Sequence, residues 1–470
     1  MKKLFTLLAL TVSFSMNAQT GSTNYGDSTG FGSGEDYNSA FGAGSLQFNS
    51  TGDYNTASGA YSLRLNETGS GNTASGVSSL YSNSAGYNNT ASGSYSLYSN
   101  TTGYQNTASG YYSLNSNITG YNNTAFGHQS LLSNTTGFQN TASGHGSLYS
   151  NTTGNRNTAS GYQSLYYNTT GFQNTASGFY SLYSNTTGYR NAASGSYSLF
   201  SNTTGGQNTA SGYQSLYSNT TGDKNTASGY YSLNSNTTGY NNTGSGYQSL
   251  YSNTTGVQNT ASGYQSLYSN TTGNNNIASG FWSLYSNTTG TNNTAFGYNA
   301  QASADNATNQ TIIGYEATGQ ADNSVVLGNG DVTAVYMGED SGAKVYAGEG
   351  SFTGDVTIGG DVVVSSDARL KSNIVSLGST LSRLLLIDGK SYEMKGKQKI
   401  GVLAQDIKEV FPELVSEDAN EMLAVNYQGL VPVLINALKE QDGKMKEQES
   451  KYLEQEKRLE RLEKLVAQLD

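Results

Sequence analysis

A repeat of fixed length runs through more than half of this chain. The pentad NTASG, or a close variant, begins at Asn38 and recurs every 17 residues up to Asn293, giving 16 copies without an insertion or a deletion. A flexible polar linker would tolerate changes in length, whereas units that stack on one another in a single register do not. The pattern therefore predicts that residues 38–300 form a rod of stacked coils.

Each unit, such as NTASGYQSLYSNTTGNN, combines strand-forming and turn-forming residues. Ala at the third place and Leu at the ninth are its steady apolar residues. Thr and Tyr favour strands, while Gly and the Asn-Thr clusters favour turns, so we expect two short strands per coil of a β-solenoid or β-roll. At about 4.8 Å per coil, the rod would be on the order of 75 Å long. One Ala and one Leu make a thin core, so we expect chains to associate around a shared axis, most simply as a homotrimer.

The outer surface of the rod allows several interpretations. Tyr at the sixth and tenth places predicts aromatic ladders, which either bind sugar rings or partner proteins or merely cover the thin core. Rows of Thr leave an ice-binding or surface-binding solenoid as an alternative. His128 and His145 occupy the sixth place without nearby carboxylates, so we expect them to replace Tyr rather than to bind a metal. Asp is too scarce in the repeats for a calcium-binding β-roll, and we expect neither a metal nor a cofactor.

Composition and the first residues limit the class of protein. The net charge of −10 argues against nucleic acid as a partner, because phosphate binding requires a basic field. The chain has no Cys, which excludes disulfides and Cys nucleophiles. The start MKKLFTLLALTVSFSMNAQ is typical of a secretory signal peptide, which we place at 1–18, followed by a lead-in over 19–37. We therefore expect a secreted or bacterial cell-surface protein without a membrane span after signal removal.

The composition changes again after the repeats. Residues 301–365 contain short β-rich runs separated by Gly, such as SVVLG and VTAVYMG, and predict a stem of interleaved strands. From residue 366 onward the chain has charges throughout and contains both prolines, as a globular domain would. At the boundary between these two segments lies SSDARLKSNI, residues 365–374, which we call the seam. It places a Ser, an Asp, an Arg and a Lys within a few residues of one another.

Ser366 and Lys371 in this seam form a candidate catalytic pair. A Ser hydroxyl becomes an effective nucleophile when a neighbouring base takes its proton, and a desolvated Lys amine can act as that base. In an α-helix, however, side chains five residues apart point about 140° away from each other. The pair therefore requires a loop or a bend, and the spacing alone fits an ordinary exposed turn better.

Motifs on both sides of the seam resemble known fibre proteins. The repeats are similar to the head repeats of trimeric autotransporter adhesins, although those have a shorter period, and 309–338 resemble phage tail-fibre repeats. SDARLKSNI, SYEMK, KIGVLAQDIKEVFPELV and LAVNYQGLVPVLINALKEQ, in this order, resemble the C-terminal intramolecular chaperone domain of phage endosialidases and tail spikes. The same self-cleaving domain occurs in myelin regulatory factor. The resemblance covers 366–441, where we expect a small α+β domain.

This resemblance implies a specific chemistry at the seam. Members of the family fold a trimeric β-rich fibre and then cut themselves off just before the Ser of an SDxRxK motif. Carried over to this chain, the resemblance makes Ser366 the nucleophile, Lys371 its general base and Ser365–Ser366 the scissile bond. Asp367 and Arg369 match the motif, and we expect them to act as charge partners that hold the loop and the trimer contacts.

The rest of the C-terminal segment contributes a further candidate and a helix. Gln405, in GVLAQD, matches a Gly-x-x-Ala-Gln pattern of the family and either helps to build the site or caps a turn; Tyr427 is expected to pack. Residues 442–470 are predicted to form a coiled coil, because a heptad pattern extends into them from the preceding domain. Its a positions are Leu438, Met445, Tyr452, Leu459 and Val466, and its d positions are Gln441, Gln448, Gln455, Leu462 and Leu469.

The sequence as a whole predicts a mainly β protein: a β-solenoid or β-roll rod, a β-rich stem, and a small α+β chaperone domain ending in a coiled coil. We expect an exported, trimeric, adhesin-like fibre whose only chemistry is a single cleavage of its own backbone. The competing classes are a spike that binds or degrades extracellular glycans and an ice-binding or surface-binding solenoid. Against glycan degradation, no catalytic domain with paired carboxylates interrupts the repeats.

Overall fold

A computed structural model shows the chain as two compact units, spanning 1–344 and 345–470. The described residues are 23–25, 37–336, 364–394, 396–418 and 421–468, with single positions at 345, 347, 350, 356, 358 and 362. The predicted signal peptide and most of the predicted lead-in lie outside these residues, as does part of the predicted stem.

The first unit is a β-solenoid, as the repeat predicts. Its described residues form one parallel sheet of 19 short strands. Thr175 pairs with Thr158 and Ala176 with Ala159, so the register of the sheet follows the 17-residue period. The strands are β1 Thr23–Tyr25, β2 Ser39–Phe41, β3 Thr56–Ser58, β4 Thr73–Ser75, β5 Thr90–Ser92, β6 Thr107–Ser109, β7 Thr124–Phe126, β8 Thr141–Ser143, β9 Thr158–Ser160, β10 Thr175–Ser177, β11 Ala192–Ser194, β12 Thr209–Ser211, β13 Thr226–Ser228, β14 Thr243–Ser245, β15 Thr260–Ser262, β16 Ile277–Ser279, β17 Thr294–Phe296, β18 Thr311–Ile313 and β19 Val325–Leu327.

The interior of the rod holds polar as well as apolar side chains. Third-place Ala and ninth-place Leu are fully buried, as at Ala176 and Leu182. The Asn at the first and twelfth places and the Ser at the eighth are equally buried, as at Asn174, Asn185 and Ser181. A single chain therefore fills its own core. The reason given above for sharing an axis, a core too thin for one chain, does not apply to these coils, and the trimer itself stays a prediction.

Two ladders of buried Asn side chains run along the rod. At the twelfth place, Asn168 Nδ2 donates to Asn151 Oδ1 at 2.7 Å and to the carbonyl oxygen of Gly171 at 3.0 Å. At the first place, Asn Oδ1 atoms accept from the backbone N–H of the next coil. Buried amides need such partners, because an unpaired buried polar group is costly. The twelfth-place ladder ends at Asn287, whose Oδ1 has no partner and whose counterpart one coil later is Ala304.

Each coil forms one strand, where the sequence predicted two. The other residues of the coil make turns, and the seventh, ninth and seventeenth places have positive φ, as at Gln163 (51°), Leu165 (52°) and Gln173 (56°). A left-handed residue turns the chain, so no second strand continues through the Leu. This conformation costs about 1–2 kcal/mol at a non-Gly residue. Hydrogen bonds between coils hold it, such as Leu165 N–H to the Ser181 carbonyl at 3.0 Å.

The glycines at the fifth and fifteenth places allow the coils to approach closely. A Cβ at Gly178, where φ is 139°, would lie 2.6 Å from the carbonyl oxygen of Gly195. A Cβ at Gly171 would lie 2.3 Å from Asn168 Oδ1, so it would collide with the buried ladder. Both rows therefore require Gly for space, and the fifth place also requires it for its backbone conformation.

The solenoid continues into the segment predicted as the stem. Strands β18 and β19 pair in parallel with the coils before them. Thr311 pairs with Val325, only 14 residues further on, so this coil is shorter than the others. The side chains of Val325 and Leu327 are 66% and 45% exposed.

The second unit combines two small hairpins with helices, which fits an α+β domain. The antiparallel pairs are β20 Lys390–Met394 with β21 Lys397–Gly401, and β22 Val415–Glu417 with β23 Leu423–Val425. The α-helices are α1 Leu381–Leu384, α2 Ala404–Val410 and α3 Leu430–Val466, and 3-10 turns lie at Ala368–Leu370, Pro412–Leu414 and Tyr427–Gly429. Ile407, Phe411 and Val433 form its buried centre. No helix in the described residues has both the length and the apolar character needed to cross a membrane.

Candidate functional site

A short turn at the seam brings the two predicted catalytic side chains together. Asp367 Oδ1 accepts a hydrogen bond from the Arg369 N–H at 2.9 Å and caps the 3-10 turn Ala368–Leu370. The turn ends at Lys371, which has an extended backbone. Lys371 Nζ lies 2.6 Å from Ser366 Oγ and donates a hydrogen bond to it. The tight turn thus supplies the bend that an α-helical spacing would not provide.

Asp367 and Arg369 form an ion pair within this turn. Arg369 Nη2 lies 2.7 Å from Asp367 Oδ2, and Arg369 Nε donates to both carboxylate oxygens at 3.1 and 3.2 Å. The side-chain hydrogen bonds from Arg369, aided by its backbone N–H, lower the pKa of Asp367. The same hydrogen bonds raise the pKa of Arg369. Because exposed ion pairs contribute little to stability, this pair chiefly fixes the shape of the turn.

The Ser-Lys pair is open to solvent in the described chain. Ser365, Ser366 and Lys371 are exposed, and the apolar side chain of Leu370 is 74% exposed. A lysine acts as a general base only in its neutral form, and removal of water favours that form. The described chain therefore brings the two groups within hydrogen-bond distance of each other in a solvent-exposed setting.

Gln405 lines a cleft with other residues of the second unit. It is the second residue of α2, it is exposed, and it shares the cleft with Tyr392, Val425 and Tyr427. The Tyr427 hydroxyl accepts a hydrogen bond from the Val402 N–H at 3.2 Å, while the residue is 53% exposed, so its packing role stays a prediction. Among the described residues, no hydrogen bond joins Gln405 to the Ser-Lys pair.

Glu440, which the sequence did not single out, anchors the segment that follows the dyad. Its carboxylate accepts from Ser379 Oγ at 2.7 Å and from the backbone N–H groups of Thr380 and Leu381. These hydrogen bonds, above all the one from Ser379, lower the pKa of Glu440. Thr380 Oγ1 also donates to the carbonyl oxygen of Val433 at 3.0 Å. Partners 61 residues apart leave no local pattern that a sequence analysis can find.

Aromatic ladders follow the outer surface of the rod. At the sixth place, Tyr230 stacks on Tyr247 with ring centroids 5.5 Å apart. His128 and His145 stack on each other at 4.9 Å in the same row, with Tyr rings on either side, as the sequence predicts. Because the rings cover each other's faces, the ladder presents mainly ring edges to a ligand. The described residues contain no group of His, Cys, Asp and Glu suited to hold a metal ion.

Comparison with known proteins identifies the second unit. Residues 366–416 match a peptidase family model described as chaperone of endosialidase. The match begins at Ser366 and includes the turn, the hairpin β20–β21 and α2. No curated protein matches the chain. The chain therefore carries an endosialidase-type chaperone domain on a long β-solenoid rod, the organisation of a tail-fibre-like protein.

Proposed function

We propose that this protein is an exported trimeric fibre whose C-terminal domain assembles three chains and then cuts itself off between Ser365 and Ser366. The observation that carries the proposal is the 2.6 Å hydrogen bond between Lys371 Nζ and Ser366 Oγ. It lies at the residue where the match to the self-cleaving chaperone family begins. The proposed nucleophile and its base thus lie within hydrogen-bond distance of each other at the start of the chaperone match.

The cleavage proceeds by an acyl shift and a hydrolysis. Ser366 Oγ attacks the carbonyl carbon of Ser365, while neutral Lys371 takes the hydroxyl proton and passes it to the Ser366 nitrogen as the C–N bond breaks. The product is an ester between the Ser365 carbonyl and Ser366 Oγ. Water then hydrolyses this ester, which leaves a carboxylate on Ser365 and restores the Ser366 hydroxyl.

The exposed apolar side chains of the second unit favour assembly into a trimer. The predicted a positions Leu438, Met445, Tyr452, Leu459 and Val466 are between 59% and 69% exposed along α3. Ile400 and Val375 are 87% and 84% exposed. Water-exposed apolar surface of this extent marks an interaction site. A parallel coiled coil of three α3 helices covers the heptad positions and brings three chains into register.

Cleavage after assembly makes the fibre difficult to take apart and reform. The product spans about residues 19–365 and remains at the cell surface or in the medium as a structural, adhesin-like protein. Once the domain that gathers the chains has left, separated chains cannot reassemble by the same route. The fibre is then kinetically stable, in the sense that its lifetime depends on its unfolding rate.

Expression of matched variants tests this proposal. The wild type should yield a fragment of residues 366–470 on denaturing gels, with Ser366 at its N-terminus by intact mass. Ser366→Ala and Lys371→Met should remain uncut, because one lacks the nucleophile and the other lacks the base. Ser365→Ala changes the neighbouring hydroxyl and should be cut at the same bond.

Two results would contradict the proposal. An uncut wild-type chain, or a Ser366→Ala chain cut at the same place, removes the assigned nucleophile. Light scattering on the uncut Ser366→Ala chain measures assembly separately, and a monomeric mass would reject the trimer even where cleavage occurs.

A further inference from the structure

A row of alternating amide and cationic side chains runs along the middle of the rod. The seventeenth place of six successive coils carries, in order, Gln139, Arg156, Gln173, Arg190, Gln207 and Lys224. All six side chains are exposed. Arg156 and Arg190 are the only Asp, Glu, Lys or Arg residues between positions 68 and 222. This part of the rod therefore presents isolated positive charge on an otherwise uncharged surface.

The backbone holds the cations of this row in equivalent positions. The φ angles of Arg156, Arg190 and Lys224 are 56°, 53° and 56°. The N–H of each donates to a carbonyl oxygen of the preceding coil at 3.0 Å. Their side chains therefore leave the rod in one direction. With two coils between successive cations, the charges are about 9.6 Å apart along the rod.

The two arginines are oriented alike by their neighbours in the row. Arg156 Nε donates to Gln139 Oε1 at 3.1 Å, and Arg190 Nε donates to Gln173 Oε1 at 3.0 Å. This contact uses Nε, and within the described residues the terminal nitrogens of these two exposed side chains make no hydrogen bond to the protein. Terminal guanidinium nitrogens bind carboxylates and sulfates through paired hydrogen bonds.

The third cation is partly compensated. Lys224 follows Asp223, which is also exposed and whose Oδ1 accepts a hydrogen bond from the Gly206 N–H at 2.6 Å. Arg156 and Arg190 therefore provide most of the positive charge, and Lys224 extends the row by one further position.

We propose that this row, defined as Arg156, Arg190 and Lys224, binds a linear acidic polysaccharide that carries one carboxylate per disaccharide. Such a polymer is extended, and the length of a disaccharide unit is close to the two-coil spacing of the cations. Phe172, beside the row, is 37% exposed and stacks on Tyr189 on one side only, because the preceding coil carries Asn155 at its place. The exposed part of its ring can contact a sugar ring.

The expected binding is weak per contact and depends on the length of the polymer. Single exposed charge contacts contribute little, so binding requires several cations on one chain at once. Salt screens exposed charges and should release the polymer. The proposal deepens the surface role of the rod given under the proposed function, and its test does not require cleavage.

Immobilised hyaluronan, with neutral dextran as a reference surface, tests the row on the full chain. The variant Arg156→Gln, Arg190→Gln, Lys224→Gln removes the charges and keeps the fold, because Gln already occupies this place in the intervening coils. The matched control Arg64→Gln removes a cation at the tenth place, outside the row. We expect the triple variant to bind hyaluronan at least about tenfold more weakly than the wild type at low salt. Arg64→Gln should bind like the wild type, and high salt should abolish binding.

Several outcomes would overturn the proposal. These are a wild type that does not bind hyaluronan, equal binding to dextran, or a triple variant that binds like Arg64→Gln. Tighter binding of duplex DNA through the same three residues would assign the row to another class of polymer. Repeating the measurement on the Ser366→Ala chain separates this question from cleavage, because an uncut chain carries the same row.

Discussion

Replacing one Asn of the twelfth-place ladder should lower the free energy of unfolding of the coils around it. Asn168 is fully buried and donates to Asn151 Oδ1 at 2.7 Å and to Gly171 O at 3.0 Å, while it accepts from Asn185 Nδ2 at 2.7 Å. In Asn168→Ala, Gly171 O and Asn185 Nδ2 each keep another partner. Asn151 Oδ1 loses the donor that the ladder provides, in a site without water access.

The magnitude follows from these contacts. Three hydrogen bonds at about 1 kcal/mol each give a loss of about 3 kcal/mol, and the unpaired acceptor raises it to about 3–5 kcal/mol. Thr170→Ala, two residues further on in the same coil, is the matched control. Thr170 is exposed, so its loss should change stability by less than about 0.5 kcal/mol.

Hydrogen exchange measures this difference locally, because stacked coils contact only their neighbours and open in part. If the coils next to Asn168 open separately, a loss of about 3–5 kcal/mol accelerates their exchange by about two to four orders of magnitude. Coils at the ends of the rod should be unaffected. Equal protection in Asn168→Ala and Thr170→Ala would refute the view that the ladder, rather than the apolar Ala and Leu, locks the coils.

Two further predictions concern one residue in each unit. Gly178→Ala should lower the urea midpoint of the rod, because the added Cβ would lie 2.6 Å from the carbonyl oxygen of Gly195. The control is Gly443→Ala in α3, where no atom lies within 4 Å of the added Cβ; it should leave the urea midpoint of the rod unchanged. Glu440 has a lowered pKa, so its contribution to the second unit is present above the usual Glu pKa and lost as the pH falls through the lowered value. Acid titration of unfolding should show this loss, and Glu440→Gln should remove it; an unchanged acid profile would contradict the anchor.

The period of the repeat was enough to predict the solenoid and its register, because only stacked units require a constant length. The course of the chain within each coil was not predictable in the same way. Leu165 and Gln163 adopt positive φ, which neither residue type favours, because hydrogen bonds to the neighbouring coils outweigh local preference. Asn was interpreted as a turn residue, yet Asn168 and its equivalents line the core. Their ladders depend on neighbours 17 residues away, which a single unit does not show.

The candidate site, like the rod, was predictable from the sequence only in part. Its residue types and position followed from the SDARLK motif and the resemblance, but the contact between Ser366 and Lys371 required the Asp367 cap that bends the chain. Helical geometry had suggested that the two side chains diverge. Glu440 was missed, since its partners lie 61 residues away in the sequence.

The two units differ in how far apart in the sequence their contacting residues lie. A coil of the rod bonds to the coil 17 residues away, as Thr175 does to Thr158, so it forms by local closure within one chain. Its buried Asn, Ala and Leu need no second chain. The second unit instead joins segments 53 to 61 residues apart and exposes its apolar heptad positions. We therefore assign the proposed assembly of chains to the second unit; the proposed cut between Ser365 and Ser366 would remove residues 366–470 and leave the hydrogen bonds between coils in place.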